Sequence, residues 1–157
     1  MVAFERAGKE NTDAVLRIAV EAAAARGCTI VAASSTGDTV LRLLDALEAA
    51  GETLPVVMVG QVDGFPKPGE NTLPAETRAA LEARGVRIVT AAHTLSGAER
   101  GISRKFGGVY PVELVAHTLR MLGQGVKVCV ECALMAADCG SVEYGAPVVC
   151  VAGTGRG

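Results

Sequence analysis

Four short apolar runs, "CTIVAAS" (28–34), "PVVMVGQ" (55–61), "VRIVTAA" (86–92) and "APVVCV" (146–151), are the strongest constraint on the fold. None alternates polar with apolar residues, so each reads as a strand covered on both faces rather than one with a wet side. Between them the apolar residues recur every three or four positions, the spacing of one helix face. Buried strands alternating with amphipathic helices specify a three-layer α/β/α sandwich on a mostly parallel sheet.

The helical segments carry their own start and stop signals. Val15, Leu16, Ala19, Val20 and Ala23 mark a first helix over 11–25, with Asn11 or Thr12 placed to cap it and Gly27 just past its end. Val40, Leu43, Leu44 and Leu47 mark a second. "LPAETRAALEARG" gives a third, with Pro74 in its first turn and Gly85 after its end, and "PVELVAHTLRMLG" a fourth, opened by Pro111. "VKVCVECALMAADCG" begins with β-branched residues, but its later Ala and Met residues favour a largely buried helix. The likeness of "AARGCTIVAA" at 24–33 to "EARGVRIVTA" at 82–91 is that of a repeated αβ unit.

In a parallel sheet all strand C-termini lie on one edge, and ligands of open α/β sheets bind outside that edge. The turns entering the strands are short: "RGC", "GETLP", "RGV" and "YGAP". Those leaving them are "SSTGDT", "GQVDGFPKPGENT", "AAHTLSGAERGISRKFGG" and "GTGRG", so polar and glycine-rich material collects at one edge. Long loops without a purpose are uncommon, and two of them on that edge point to a binding site.

Ser34, Ser35, Thr36, Gly37, Asp38 and Thr39 run from a strand straight into a helix start, where free backbone N–H groups and the positive end of the dipole favour an anion. The plainer reading is that Thr36 or Asp38 only caps that helix. Gly153, Thr154 and Gly155 repeat the chemistry after the last strand, with Arg156 as a phosphate clamp. Two such loops on one edge favour a phosphate site.

Composition narrows the classes. The 157 residues suit one domain, 1–157, and half are hydrophobic while only 3% are aromatic, so the core is built from Ala, Val, Leu and Ile. A net charge of -2 leaves no basic face for nucleic acid. No run is long enough for a membrane span, and "MVAFERAGKENTD" lacks the order of a signal peptide, so a cytoplasmic protein is expected. Cys129 and Cys132 are three apart with Cys139 beyond them, but no second pair or nearby histidine completes a metal set; buried thiols are expected and no metal.

The segments from Thr29 to about Leu47 and from Pro147 to Gly157 resemble the C-terminal α/β domain of pyruvate kinase. "FERAGKENTDAVL", "VDGFPKPGEN" and "GISRKFGG" extend the likeness over most of the chain, to the stand-alone pyruvate kinase alpha/beta domain-like proteins. The resemblance implies that Ser34 to Thr39 and the closing loop Gly153 to Gly157 hold a phosphate. Ser35 and Asp38 stand where related loops can carry basic residues, which disfavours a sugar bisphosphate. The kinase's catalytic barrel has no counterpart in these residues, so no pyruvate kinase activity of its own is expected. The stand-alone group further implies flavin mononucleotide (FMN) as the ligand.

Further ligand contacts are expected from His93, from Lys105 with Phe106, and from Glu10, Asn11 and Thr12, although capping alone accounts for the last three. The favoured function is therefore binding of a phosphorylated small molecule, with FMN the ligand the resemblance implies, at the C-terminal edge of the sheet. Two alternatives stay open: a flavin-dependent oxidoreductase or small phosphate-ester enzyme, and a self-associating regulatory domain. A homo-oligomer is expected.

Overall fold

The structure is a computed structural model and describes residues 2–153. A 3-10 turn, Lys9–Asn11, leads into α1 (Thr12–Ala24), β1 (Thr29–Ala33), α2 (Asp38–Ala50), β2 (Val56–Val59), α3 (Ala75–Ala83) and β3 (Arg87–Val89). Three helices in succession follow, α4 (Ala98–Phe106), α5 (Pro111–Arg120) and α6 (Gln124–Asp138), before β4 (Val148–Val151).

The four strands are all parallel and lie in the order β3-β2-β1-β4. Ala33 pairs with Val59 on one side of β1 and Ala32 with Val151 on the other. The chain thus steps outward from β1 to β2 to β3, then returns across the sheet to place β4 on the far side of β1. Strand order reverses between β1 and β4, which makes their carboxyl ends the switch point of the sheet.

Both faces of the sheet are covered, as the unbroken apolar runs require. Ile30, Ala32, Val56 and Met58 pack under Leu16, Val20, Val40, Leu43 and Leu81 of α1, α2 and α3. Val31, Val57, Val59 and Val89 pack under Cys132, Met135 and Ala136 of α6. Ile30 and Val31 are neighbours in sequence, both fully buried, and on opposite faces. Each such side chain contributes roughly 1.5–3 kcal/mol by leaving water, so the strand is anchored from both sides. Ala19 and Ala23, also buried, let α1 pack closely in a core with few rings.

Three expectations need correction. The stretch 91–108 is not one long loop: Ala98–Phe106 is helical. Its charges follow the helix dipole, with Glu99 in the first turn and Arg104 and Lys105 in the last, but it buries no residue and so shows no core-facing stripe. Pro74 stands just before α3 in an extended conformation (ψ 143°) rather than inside its first turn. Neither Asn11 nor Thr36 nor Asp38 caps a helix through its side chain. Asn11 Nδ2 instead donates to the Arg6 carbonyl at 2.6 Å. The segment 124–138 is helical, as its Ala and Met content indicates. Among the described residues no helix is long and apolar enough to cross a membrane.

Candidate functional site

The β1–α2 loop leaves the sheet at the switch point and turns at Gly37, where φ is +91°, a left-handed conformation that favours glycine. Space forbids a side chain there as well, since a Cβ would lie 2.7 Å from Thr77 Cγ2 and 3.1 Å from Leu81 Cδ1. The Gly37 N–H donates to Ser34 Oγ at 3.0 Å, closing the loop on itself. The Gly37 carbonyl accepts from Val40 and Leu41, and the Asp38 and Thr39 N–H groups at the helix start have no backbone partner among the described residues. Gly37 is buried while Ser35, Thr36 and Asp38 are exposed, which presents their polar atoms outward on a fixed base.

The neighbouring β2–α3 loop braces this one. Gln61 Nε2 donates to Ser35 Oγ at 3.3 Å and Thr72 Oγ1 to the Ser35 carbonyl at 3.0 Å. Asn71 Nδ2 bonds the Gln61 carbonyl at 3.1 Å and Asp63 Oδ1 at 2.5 Å, while Asn71 Oδ1 accepts from the Leu73 N–H at 2.8 Å. Gln61 Oε1 is buried with no hydrogen-bond partner among the described residues.

On the far side of the switch point, α6 starts against the end of β4. A Cβ on Gly125 would stand 3.0 Å from the Ala152 carbonyl oxygen and 3.8 Å from Gly153 Cα, so the glycine permits direct contact between helix start and strand end. The chain therefore leaves β1 and β4 side by side, each into polar or glycine-rich sequence next to a helix N-terminus.

Residues 13–157 match the family model of the pyruvate kinase alpha/beta domain. The chain belongs to that family.

In this pyruvate kinase alpha/beta domain Ser34, Ser35, Thr36 and Gly37 form the turn at the carboxyl edge of β1, and Asp38 and Thr39 open α2 directly after it. Gly153 lies beside the start of α6. Thr154, Gly155 and Arg156, the rest of the expected clamp, lie outside the described residues. His93 emerges at the same edge, with Nε2 3.3 Å from the Gly60 carbonyl oxygen. Asp13 Oδ1, next in sequence to Thr12, meets Arg42 Nη2 at 2.5 Å, which ties the start of α1 to α2 and keeps Glu10, Asn11 and Thr12 at the same end of the helical layer. Lys105 and Phe106 sit at the last turn of α4, the ammonium 5.3 Å from the ring centroid, on a helix that packs on α5.

Gln61, Asn71 and Thr72 are braces that sequence reasoning did not single out, and so are Lys127 and Glu131 on α6. The last two are only 2% and 3% exposed and pair at 2.5 Å. Glu131 Oε1 also accepts from the Leu95 N–H (2.7 Å) and the Ser96 hydroxyl (3.0 Å), pinning the segment after His93 to α6. Burial would raise the Glu131 pKa, but the hydrogen bond and charge of Lys127, with those two donors, hold the carboxyl below its ordinary value. A Lys and a Glu four apart were the available signal, disguised because such pairs usually face water.

Three of the thiols are held protonated by their surroundings. Burial, helped by the Glu131 charge, pushes Cys132 up to about 12, and burial pushes Cys150 up to about 11 and Cys129 upward. No metal-holding cluster of His, Cys, Asp and Glu occurs among the described residues. A groove of about 410 Å³ lies away from the loops, between α1 and α2. Its floor is Leu16 and Val20 and its wall is Ala46 and Ala49, with Arg42 at its rim already paired to Asp13. Asp13, Arg17, Glu21 and Asp45 also line it, so its charges are of both signs, whereas the switch point offers a helix start and hydroxyls at the carboxyl edge of the sheet, where open α/β sheets bind ligands.

Proposed function

We propose that the domain binds the phosphate end of a small phosphorylated molecule in the crevice outside β1 and β4. The observation that carries this reading is the placement of the Ser34–Thr39 loop at the switch point, fixed from beneath by Gly37 and from the side by Gln61 and Thr72. The N–H groups of Asp38 and Thr39, which have no backbone partner among the described residues, and the hydroxyls of Ser35, Thr36 and Thr39 supply donors for one phosphate. No arginine or lysine bonds this loop among the described residues, and Asp38 adds a negative charge, so a singly phosphorylated ligand suits it better than a bisphosphate.

FMN is the ligand proposed within this class. Its single phosphate suits the donor set of the loop, and its polar chain suits a crevice bounded by Gln61 and His93. A bound flavin would supply redox chemistry at its ring; the residues of this chain would bind and orient it. No pyruvate kinase activity is proposed for these residues.

Calorimetric titration with FMN, inorganic phosphate and a sugar bisphosphate tests the reading. Saturable FMN binding that is lost in Ser34→Ala and competed by phosphate is expected. Absence of binding to all three would overturn it, and tightest binding of the bisphosphate would overturn the preference for one phosphate.

A further inference from the structure

The segment 90–97 carries the chain from the end of β3 along the carboxyl edge to the switch point. His93 Nε2 lies 3.3 Å from the Gly60 carbonyl oxygen, just past the end of β2. The Leu95 N–H and the Ser96 hydroxyl then donate to Glu131, and Lys127, in the first turn of α6, donates to Ser96 Oγ at 3.3 Å. That same turn holds Gly125 against the Ala152 carbonyl at the end of β4. Helix α4 therefore starts beside the crevice outside β1 and β4.

Three rows at i, i+4 spacing divide the helix. Glu99 and Ser103 face α5, where Glu99 Oε2 accepts from the Val112 N–H and Ser103 Oγ donates to Glu113 Oε1, each at 2.8 Å. Arg100 and Arg104 lie one position on, turned by about 100° from that row. Ile102 and Phe106 form the third row and are exposed. The acids nearest the arginines are thus engaged with α5, and among the described residues neither Arg100 nor Arg104 has an ion-pair partner.

Little holds α4 where it lies. It buries no residue, and Gly101 in its middle weakens it by about 1 kcal/mol relative to Ala. Few buried contacts mark a segment of low local stability. Glycine stands at both ends, Gly97 before it and Gly107 and Gly108 after it. A Cβ on Gly97 would lie 2.7 Å from the His93 carbonyl oxygen, so the entry turn admits no side chain. The crevice itself is short of positive charge, since the Ser34–Thr39 donors are neutral and Asp38 is acidic.

We infer that α4 is a cationic lid, which closes by rotation at Gly97 and at Gly107–Gly108 and brings Arg100 and Arg104 to the phosphate held by the Ser34–Thr39 loop. The inference rests on the phosphate reading above and supplies the counter-charge that the loop lacks. Closure exchanges two hydrogen bonds to α5 for charge-assisted, bidentate contacts to phosphate, which are the stronger kind.

Hydrogen–deuterium exchange mass spectrometry and calorimetric titration of the full chain with FMN test it. Bound FMN should slow exchange of the amides of 98–106. Arg100→Gln and Arg104→Gln should each keep the wild-type circular dichroism and lose about tenfold in FMN affinity, with a shallower salt dependence. Arg100→Lys and Arg104→Lys keep the charge and should recover part of the loss. Arg26→Gln removes an equal charge beyond the far end of α1 and should leave affinity unchanged. Saturable FMN binding with unaltered affinity in both Gln variants, or with unaltered exchange over 98–106, would overturn the lid and leave the phosphate site standing. Absence of FMN and phosphate binding in the wild type would overturn the site, and the lid with it.

Discussion

Lys127 and Glu131 stand one turn apart on α6 and form a 2.5 Å ion pair from which water is almost wholly excluded. The pair connects the layer under the sheet to the segment after β3, because Glu131 also accepts from Leu95 and Ser96. Removing one partner leaves an uncompensated buried charge, so Lys127→Met should cost about 3–5 kcal/mol in urea unfolding. Replacing both, as Lys127→Met with Glu131→Leu, should recover part of this but not all, since the Leu95 N–H then loses its acceptor.

The same pair sets an acid limit on stability. The Glu131 pKa is lowered in the folded state from an ordinary value of 4.5, so its contribution is present above that value and is lost as pH falls through the folded one. The urea midpoint of the wild type should therefore fall on acidification below about 4.5, and Glu131→Gln should show a lower midpoint at neutral pH with a flatter acid dependence. An equal acid slope in both proteins would show that other carboxylates set the limit.

Gly37→Ala tests the turn under the candidate site. A Cβ there meets Thr77 at 2.7 Å, and the backbone is left-handed, so strain and overpacking act together. A loss of roughly 1–3 kcal/mol is expected. Because the Gly37 N–H anchors Ser34, phosphate or FMN affinity should fall in the same variant. Glycine 27 offers the control: its φ is +60° but nothing stands within 4 Å, so Gly27→Ala should destabilise less and leave binding unchanged.

The strands were legible in sequence because a strand buried on both faces must be apolar throughout, and β2 is buried at every position. The carboxyl edge was legible too, because the polar residues after β1 contrast with an apolar chain. Helix α4 escaped notice since Ile102 and Phe106 are its only large apolar residues, neither is buried, and the segment is otherwise dominated by charged and small residues. Gln61 and Thr72 reach Ser35 across 26 and 37 residues of chain, and no local pattern encodes a contact that exists only once β1 and β2 are paired. Lys127 and Glu131 were hidden for the opposite reason: charge on a helix ordinarily signals solvent.

Thiol reactivity should divide sharply. Cys139 is exposed, whereas burial holds the Cys132 and Cys150 pKa values at about 12 and about 11 and raises that of Cys129. Thiolate is the reacting species, so an aromatic disulfide reagent near pH 8 should titrate one thiol quickly and the others only on unfolding. Fast reaction at Cys132, located by mass spectrometry, would contradict the packing of α6 on the sheet.

Asp38 separates a stability role from a binding role because the two have opposite signs. As an acid in the first turn of α2 it stabilises the helix through the dipole, by about 0.3–1 kcal/mol at an exposed position. The same carboxylate repels a phosphate brought to the N–H groups beside it. Asp38→Asn should therefore lower the melting temperature slightly while tightening phosphate or FMN binding a few-fold, with the gain shrinking as salt rises. A variant that loses both stability and affinity would mean that the carboxylate organises the loop rather than opposing the ligand, and one that gains no affinity at low salt would move the phosphate away from α2.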